Sequence, residues 1–295
     1  MQPFAAIARE IGALTGARCE GGPEQRVTGG SINECYRWVS AAGAMFVKVA
    51  AAEALAMFEA EAAGLAELER SRALRVPRLL ACGAASGAAF LALEWIEAGE
   101  SGQACEARLG EGLAALHAVT EARFGWGRDN TIGRTPQANA WSDDWTEFFR
   151  ERRLRPQLEL ARRRGLARAL SAPGERLLGC VDRLLAGHRP AASLLHGDLW
   201  GGNWLASSGG EPVLFDPAVY YGDRETDLAM TRLFGGFGEA FYRAYEAAAP
   251  LPPGWPERCE LYNLYHVLNH ANLFGSAYAR QARSVIERLL TRAQR

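Results

Sequence analysis

Hydrophobic and polar positions follow two regimes along the chain, and the change falls near Gly99. After an amino-terminal helix, RVTGGSINECYRWVSAAGAMFVKVA carries short apolar runs with turn regions at Gly29-Gly30 and Ala42-Gly43. That is the pattern of three successive strands, with Lys48 near the end of the third. AAEALAMFEAEAAGLAELERSRAL then changes to a helical period, placing Leu55, Phe58, Ala62, Leu65 and Leu68 on one stripe. At roughly 100° per residue, Glu61 lies about 50° from the stripe's centre and Glu59 about 110° away, so Glu61 is the acid expected to face inward. Pro77 closes the helical region, and LLACG and AAFLALEWI read as two more strands around an AASG turn. Five strands and one inserted helix make the first lobe.

Beyond Gly99 the period is helical through LGEGLAALHAV, WTEFFRERRLRPQLELARRRGLARAL and GERLLGCVDRLLAG, and again from ETDLAMTRLF onward. The interruption is LLHGDLWGGNWLASSGGEPVLFDPAVYYGD, where NWLAS and PVLFD read as a hairpin across SSGGE. The expected fold class is α+β, with a sheet-rich first lobe and a mostly helical second one. No internal repeat appears.

Composition narrows the function. At 295 residues and 48% hydrophobic, the chain can fill two lobes or one large domain. A formal net charge of -1 leaves no basic field for nucleic acid. Arg9 and Glu10 interrupt MQPFAAIAREIGALTG, which therefore holds neither a signal-peptide core nor a membrane span, and the expected location is cytoplasmic. Six cysteines, at 19, 35, 82, 105, 180 and 259, form no CxxC or zinc spacing and are expected to be reduced. Cys35 reads either as a redox switch or as a small buried strand residue. Among 33 basic residues, Lys48 is the only lysine, set in the apolar run AMFVKVA.

Chemistry concentrates in HGDLWGGN, which meets the pattern H-x-D-L-x-x-x-N with Asp198 and Asn203 five apart and Asp216 following a hairpin. Phosphoryl transfer needs one carboxylate to take the acceptor hydroxyl's proton, and a carboxylate-plus-amide pair to hold Mg²⁺ on the nucleotide phosphates. HGD alone also reads as a loop with a buried structural His196; Asn203 and Asp216 at suitable spacing favour chemistry. Lys48 then fits the third-strand lysine that contacts ATP phosphates and pairs with a helix glutamate, here Glu61. A compact ammonium suits that position better than a guanidinium fork. The competing reading of Lys48 is a snorkelling strand-edge residue.

GGSINECYRW, FVKV, MFEAEAAGL, VPRLLACG, LALEWI, LGEGLAALH, FGWGRDNTIG, LLHGDLWGGNWL, FDPAVYYGDRETDLAM and LNHANLFG together resemble the fructosamine kinase (ketosamine-3-kinase) family. That family stands among the aminoglycoside-phosphotransferase-like kinases with a bilobal protein-kinase-like fold. The resemblance implies a nucleotide-binding lobe over 1–96 and a catalytic, acceptor-binding lobe over 97–295. It makes Asp198 the catalytic base, Asn203 and Asp216 the metal ligands, and Lys48 with Glu61 the phosphate-positioning pair. LEWI becomes the hinge, where the backbone of Glu94, Trp95 and Ile96 meets adenine. Gly30, Ser31, Ile32 and Asn33 become the phosphate loop, although GGSINE lacks the G-x-G-x-x-G of protein kinases. DPA in place of DFG, with no APE segment, removes the peptide-docking activation loop of a protein kinase.

For the acceptor, Trp200 offers an indole face to a sugar. The resemblance brings Asn269 and His270 beside the same pocket. Asp227 is expected to brace the catalytic loop, His117 to be a packing histidine, and Trp126, Trp141 and Trp145 to be core. Asp223, Arg224 and Glu225 either order their loop through mutual salt bridges or reach substrate. The implied reaction is ATP- and Mg²⁺-dependent phosphorylation of the 3-hydroxyl of a small or protein-bound ketosamine by a monomer or weak homodimer. Kinases for an aminoglycoside, choline or free sugar, and an idle nucleotide-binding scaffold, are the competing readings.

Overall fold

The computed structural model describes residues 3–27 and 33–294. Gly30, Ser31 and Ile32 lie outside the described residues. The amino-terminal part comprises α1 (Phe4–Thr15), β1 (Gln25–Val27), β2 (Glu34–Ser40), β3 (Gly43–Ala51), α2 (Leu55–Ser71), β4 (Leu79–Ala85) and β5 (Ala88–Glu94). The five strands form one antiparallel sheet in the order β1-β2-β3-β5-β4.

Strand alternation decides which way Lys48 points. Val47, Val49, Phe90 and Ala92 share one face with Trp38, and α1 covers them through Ile7, Ala8 and Ile11. Leu91 and Leu93 belong to the other face, under Phe58, Ala62, Leu65 and Leu68 of α2. Lys48 is opposite Leu91 in the β3–β5 ladder, so period two sends its side chain towards α2. Both faces of this sheet are apolar, and each needs a helix to exclude water. The inserted helix is α2, while the amino-terminal helix expected from sequence closes the opposite face.

The carboxyl-terminal part begins with α3 (Gln103–His117), β6 (Thr120–Glu121), β7 (Asn130–Ile132) and β8 (Thr135–Gln137). There follow α4 (Trp145–Phe148), α5 (Arg155–Ala161), α6 (Ala167–Leu178), α7 (Val181–Leu184) and β9 (Ala192–Leu195). β10 (Trp204–Ala206), β11 (Pro212–Leu214), β12 (Tyr220–Gly222), α8 (Glu225–Leu233), α9 (Glu239–Ala248), α10 (Trp255–Phe274) and α11 (Ser276–Arg292) complete it. The continuous helix expected from Trp145 is instead a helical path with wide turns over 149–154 and 162–166, where Gly165 takes φ 82°. Pro156, which has no N–H, sits just inside α5 and forbids a regular ladder there.

β10 and β11 form the hairpin read from sequence, in register Trp204↔Leu214. The three-stranded sheet β12-β9-β6 matters more for the site, because β9 delivers the HGD loop. Trp126 and Trp145 are buried as expected. Trp141 is not core: it is 37% exposed, lying on a loop with its ring 6.2 Å from Tyr221. Among the described residues, no helix is long and apolar enough to cross a membrane.

Candidate active site

The face assignment of Lys48 produces the first contact. Its Nζ donates to Glu61 Oε1 at 2.7 Å and to Asp216 Oδ1 at 2.5 Å, joining β3, α2 and the segment after β11. Lys48 is 4% exposed, whereas the Asp216 side chain is 41% exposed into the cleft. Burial alone would lower the Lys48 ammonium, but Asp216 and Glu61 hold it above its ordinary value, so it stays charged. Asp216 has φ 55°, a left-handed conformation disfavoured for a residue with a Cβ.

The catalytic loop is fixed from below. Asp227, on α8, accepts from the backbone N–H of His196 at 2.7 Å and of Gly197 at 2.9 Å. His117 of α3 reaches the same carboxylate at 3.3 Å, while its other ring nitrogen meets Tyr245 Oη at 2.8 Å. Burial opposes the Asp227 charge, yet His117, His196 and the Gly197 N–H hold its carboxyl below the usual range. His196 Nε2–H donates to Phe215 O at 3.0 Å, and His196 Nδ1 accepts from Asp198 N at 3.3 Å. The imidazole thus ties the Asp198 loop to the Asp216 segment in one tautomer, and burial keeps it neutral. Gly197 has φ 83°, and a Cβ there would lie 2.1 Å from Ala218 O; only glycine permits this approach.

Asp198 and Asn203 meet directly: Asn203 Nδ2 donates to Asp198 O at 2.8 Å and to Asp198 Oδ2 at 3.1 Å. Burial and the neighbouring Asp216 push the Asp198 carboxyl up to about 7, against the pull of Asn203. A group poised near neutrality is suited to general-base work. With its NH₂ spent on Asp198, Asn203 has its carbonyl oxygen left for a cation, and Asp216 contributes a carboxylate. Two hard oxygen donors on one cleft wall fit Mg²⁺, which takes few protein ligands and keeps the rest for phosphate and water.

One cavity of about 600 Å³ brings together Lys48, Glu61, Asp198, Asn203 and Asp216, with Asn33, Glu94, Trp95, Ile96 and Trp200 also on its wall. Phe46, Leu93, Leu205 and Phe215 add apolar surface to the cavity. The Glu94 N–H already donates to Arg78 O at 2.9 Å and its side chain pairs with Arg75 at 2.7 Å. Within residues 94–96, the Glu94 N–H is therefore already engaged.

Asn269 and His270 do not reach the cavity wall. Asn269 is buried, facing Gln157 and Ile132 O at 3.4 Å each. His270 packs on Phe234, with ring centroids 4.9 Å apart, and Phe234 in turn lies 6.5 Å from Trp200 of the cavity wall. Asp223 and Glu225 do not pair with Arg224. Asp223 accepts from Tyr262 Oη at 2.5 Å and faces His188 at 2.6 Å, while Glu225 grips Arg258 at 2.6 and 2.7 Å. Arg224 instead caps the chain at Ala249 and Pro250. None of the three is on the cavity lining, and α10 supplies two of their partners, Arg258 and Tyr262.

Sequence reasoning gave no role to Asn130, Thr131 and Gly133, which line the cavity from the β7–β8 hairpin. Asn130 Nδ2 donates to Val219 O at 2.8 Å, and Gln137 Nε2 to Ala218 O at 3.0 Å, fastening that wall to the Asp216 segment. The available signal was the turn-forming DNTIG string, which falls inside the resemblance motif FGWGRDNTIG.

A lysine–glutamate pair under a five-stranded sheet, facing a looped carboxylate, an amide and a second carboxylate, defines a phosphotransferase of the bilobal kinase class. The chain belongs to the fructosamine kinase family, whose model matches residues 3–292. It is 46% identical over 289 residues to a probable ketoamine kinase of Synechocystis, covering 98% of this chain and 97% of that one. It is also 43% identical over 264 residues to the chloroplastic protein-ribulosamine 3-kinase of Arabidopsis thaliana, covering 88% and 80%. The crystal structure of a candidate fructosamine-3-kinase from Haemophilus somnus superposes with a TM-score of 0.89 at 29% identity, covering 97% of each chain. An aminoglycoside phosphotransferase solved with AMP-PNP and hygromycin B shares the fold, with a TM-score of 0.60 at 17% identity over 93% of this chain and 96% of that one.

Proposed function

We propose that this protein uses ATP and Mg²⁺ to phosphorylate the 3-hydroxyl of a ketosamine, the adduct of a sugar and an amine, whether free or on a protein. One observation carries the choice of acceptor. Apart from Glu61, Asp198 and Asp216, already placed, and Glu94, paired with Arg75, the lining holds one further acid, Glu97, alongside Thr131, Gly133 and the Trp200 indole. Such a wall suits a polyol chain, whereas a polycationic aminoglycoside calls for several carboxylates. Relatives named as ketoamine and protein-ribulosamine kinases support the same substrate class.

In this account Asp198 orients the acceptor hydroxyl and takes its proton as its oxygen bonds to the γ-phosphorus and the bond from that phosphorus to the leaving ADP oxygen breaks. Asn203 and Asp216 would hold Mg²⁺, which when bound would supply charge neutralisation for the nucleotide phosphates. Lys48 steadies those phosphates and Glu61 positions Lys48, while the 94–96 backbone meets adenine. Nucleotide binding belongs to residues 1–96 and acceptor binding to 97–295. The 3-phosphate makes the adduct prone to eliminate and release the amine, which gives the reaction a repair role.

The test is ADP release from ATP and Mg²⁺ with ribulosamine, erythrulosamine, fructosamine and aminoglycosides. Turnover with ketosamines supports the proposal; turnover confined to aminoglycosides overturns it.

A further inference from the structure

Six large hydrophobic side chains are exposed among the described residues, and three of them, Trp200, Phe234 and Phe274, gather on one surface. Their exposures are 37%, 42% and 55%. They are joined through His270: ring centroids lie 6.5 Å apart from Trp200 to Phe234, 4.9 Å from Phe234 to His270 and 5.4 Å from His270 to Phe274. Tyr278 of α11 flanks the far end, 5.1 Å from His270 and 6.1 Å from Phe274. The result is an aromatic strip that begins on the wall of the catalytic cavity and runs out across the ends of α8, α10 and α11. Exposed contiguous apolar surface of this kind marks a contact site.

We infer that this strip receives the polypeptide flanking a glycated lysine, so that the enzyme recognises the chain as well as the sugar. The inference rests on the ketosamine reading above. With the 3-hydroxyl at Asp198, the nitrogen of the adduct lies close by in the same molecule and must leave the cavity away from the nucleotide. Trp200, on the wall beside Asp198, is where the strip starts. The protonated amine then passes aromatic faces, which attract a cation through their quadrupoles. At about 3.3 Å per residue, an extended peptide covers the strip from Trp200 to Phe274 with about five residues. Charge chooses among peptides: no acidic residue occurs between Glu260 and Glu287, and Arg164 donates to Asn272 O beside the strip's outer end. The surface therefore favours peptides with acidic and aromatic neighbours to the modified lysine.

Phe274 lies outside the catalytic machinery, and its exposure makes Phe274→Ser a mild change for folding. Kinetics are compared for N-acetyl ribulosyl-lysine and for a short peptide in which ribulosyl-lysine is flanked by glutamate and phenylalanine. The expected result is that Phe274→Ser stays within about twofold of wild type on the free adduct and loses about tenfold in kcat/KM on the peptide, mainly through KM. Phe274→Trp should restore the peptide's KM. Equal losses on both substrates, or an unchanged peptide KM, overturn the inference. A wild-type dimer that becomes monomeric in Phe274→Ser with both activities intact also overturns it, because the strip would then bind a second copy of this chain. Wild-type protein inactive on both adducts instead removes the ketosamine reading itself.

Discussion

Asp227→Asn is a nearly isosteric change that tests how the catalytic loop is held. In the native loop, Oδ1 accepts from Gly197 N–H at 2.9 Å, and Oδ2 accepts from His196 N–H at 2.7 Å with His117 at 3.3 Å. An asparagine keeps one acceptor oxygen, best placed where two donors converge. Its NH₂ then faces the Gly197 N–H, donor against donor, in a site that is 1% exposed. Losing a charge-assisted bond and stranding a buried N–H costs about 2 kcal/mol. For a chain of this size that lowers Tm by about 3 °C. The catalytic consequence follows from position: Gly197 precedes Asp198, and a displacement of about 1 Å at a reacting group can cost about 10²-fold. Differential scanning fluorimetry, with kcat at saturating nucleotide, reads both effects. The nucleotide Kd should hold, because no bond from Asp227 reaches the hinge. A variant within about 0.5 kcal/mol of wild type and within about twofold in kcat would refute the bracing role.

Lys48→Arg should lower kcat/KM for ATP by at least about tenfold, because the guanidinium fork cannot replace one ammonium shared between Glu61 and Asp216; unchanged ATP kinetics would contradict this. His266 is pushed down to about 3, chiefly by burial and then by His270. The unfolded chain takes up that proton below its ordinary value near 6.5, so stability is whole above about 6.5 and falls by about 1.4 kcal/mol per pH unit towards 3. Denaturant melts of His266→Gln between pH 6.5 and 5 should show a slope shallower by that amount, and an identical slope would refute the assignment. Burial pushes the Cys35 thiol up to about 11, leaving little thiolate at neutral pH. Peroxide should therefore leave turnover unchanged, and activity loss that tracks Cys35 oxidation in peptide mapping would restore the switch.

Longer periodic segments were legible. The inward turn of Glu61 followed from helical geometry, and its pairing with Lys48 needed only strand alternation in addition. The spacing of Asp198, Asn203 and Asp216 was equally readable, because a loop, a hairpin and a return fix their separation. What escaped was short or cooperative. β6, β9 and β12 have only two to four residues each, too few to show a period, yet β9 sets the origin of the catalytic loop. The β7–β8 wall depends on amide bonds from Asn130 and Gln137 to carbonyls far along the chain. Asn269 is drawn away from the cleft by packing against Gln157, which no local pattern announces.

The role of Asp198 is tested most directly by kcat for Asp198→Asn with ATP, Mg²⁺ and a ribulosamine, measured beside nucleotide affinity. The asparagine retains size and polarity but cannot take the hydroxyl proton. Turnover should fall by about 10²–10⁴-fold while nucleotide Kd changes by less than about threefold. Turnover within about threefold of wild type would contradict the account.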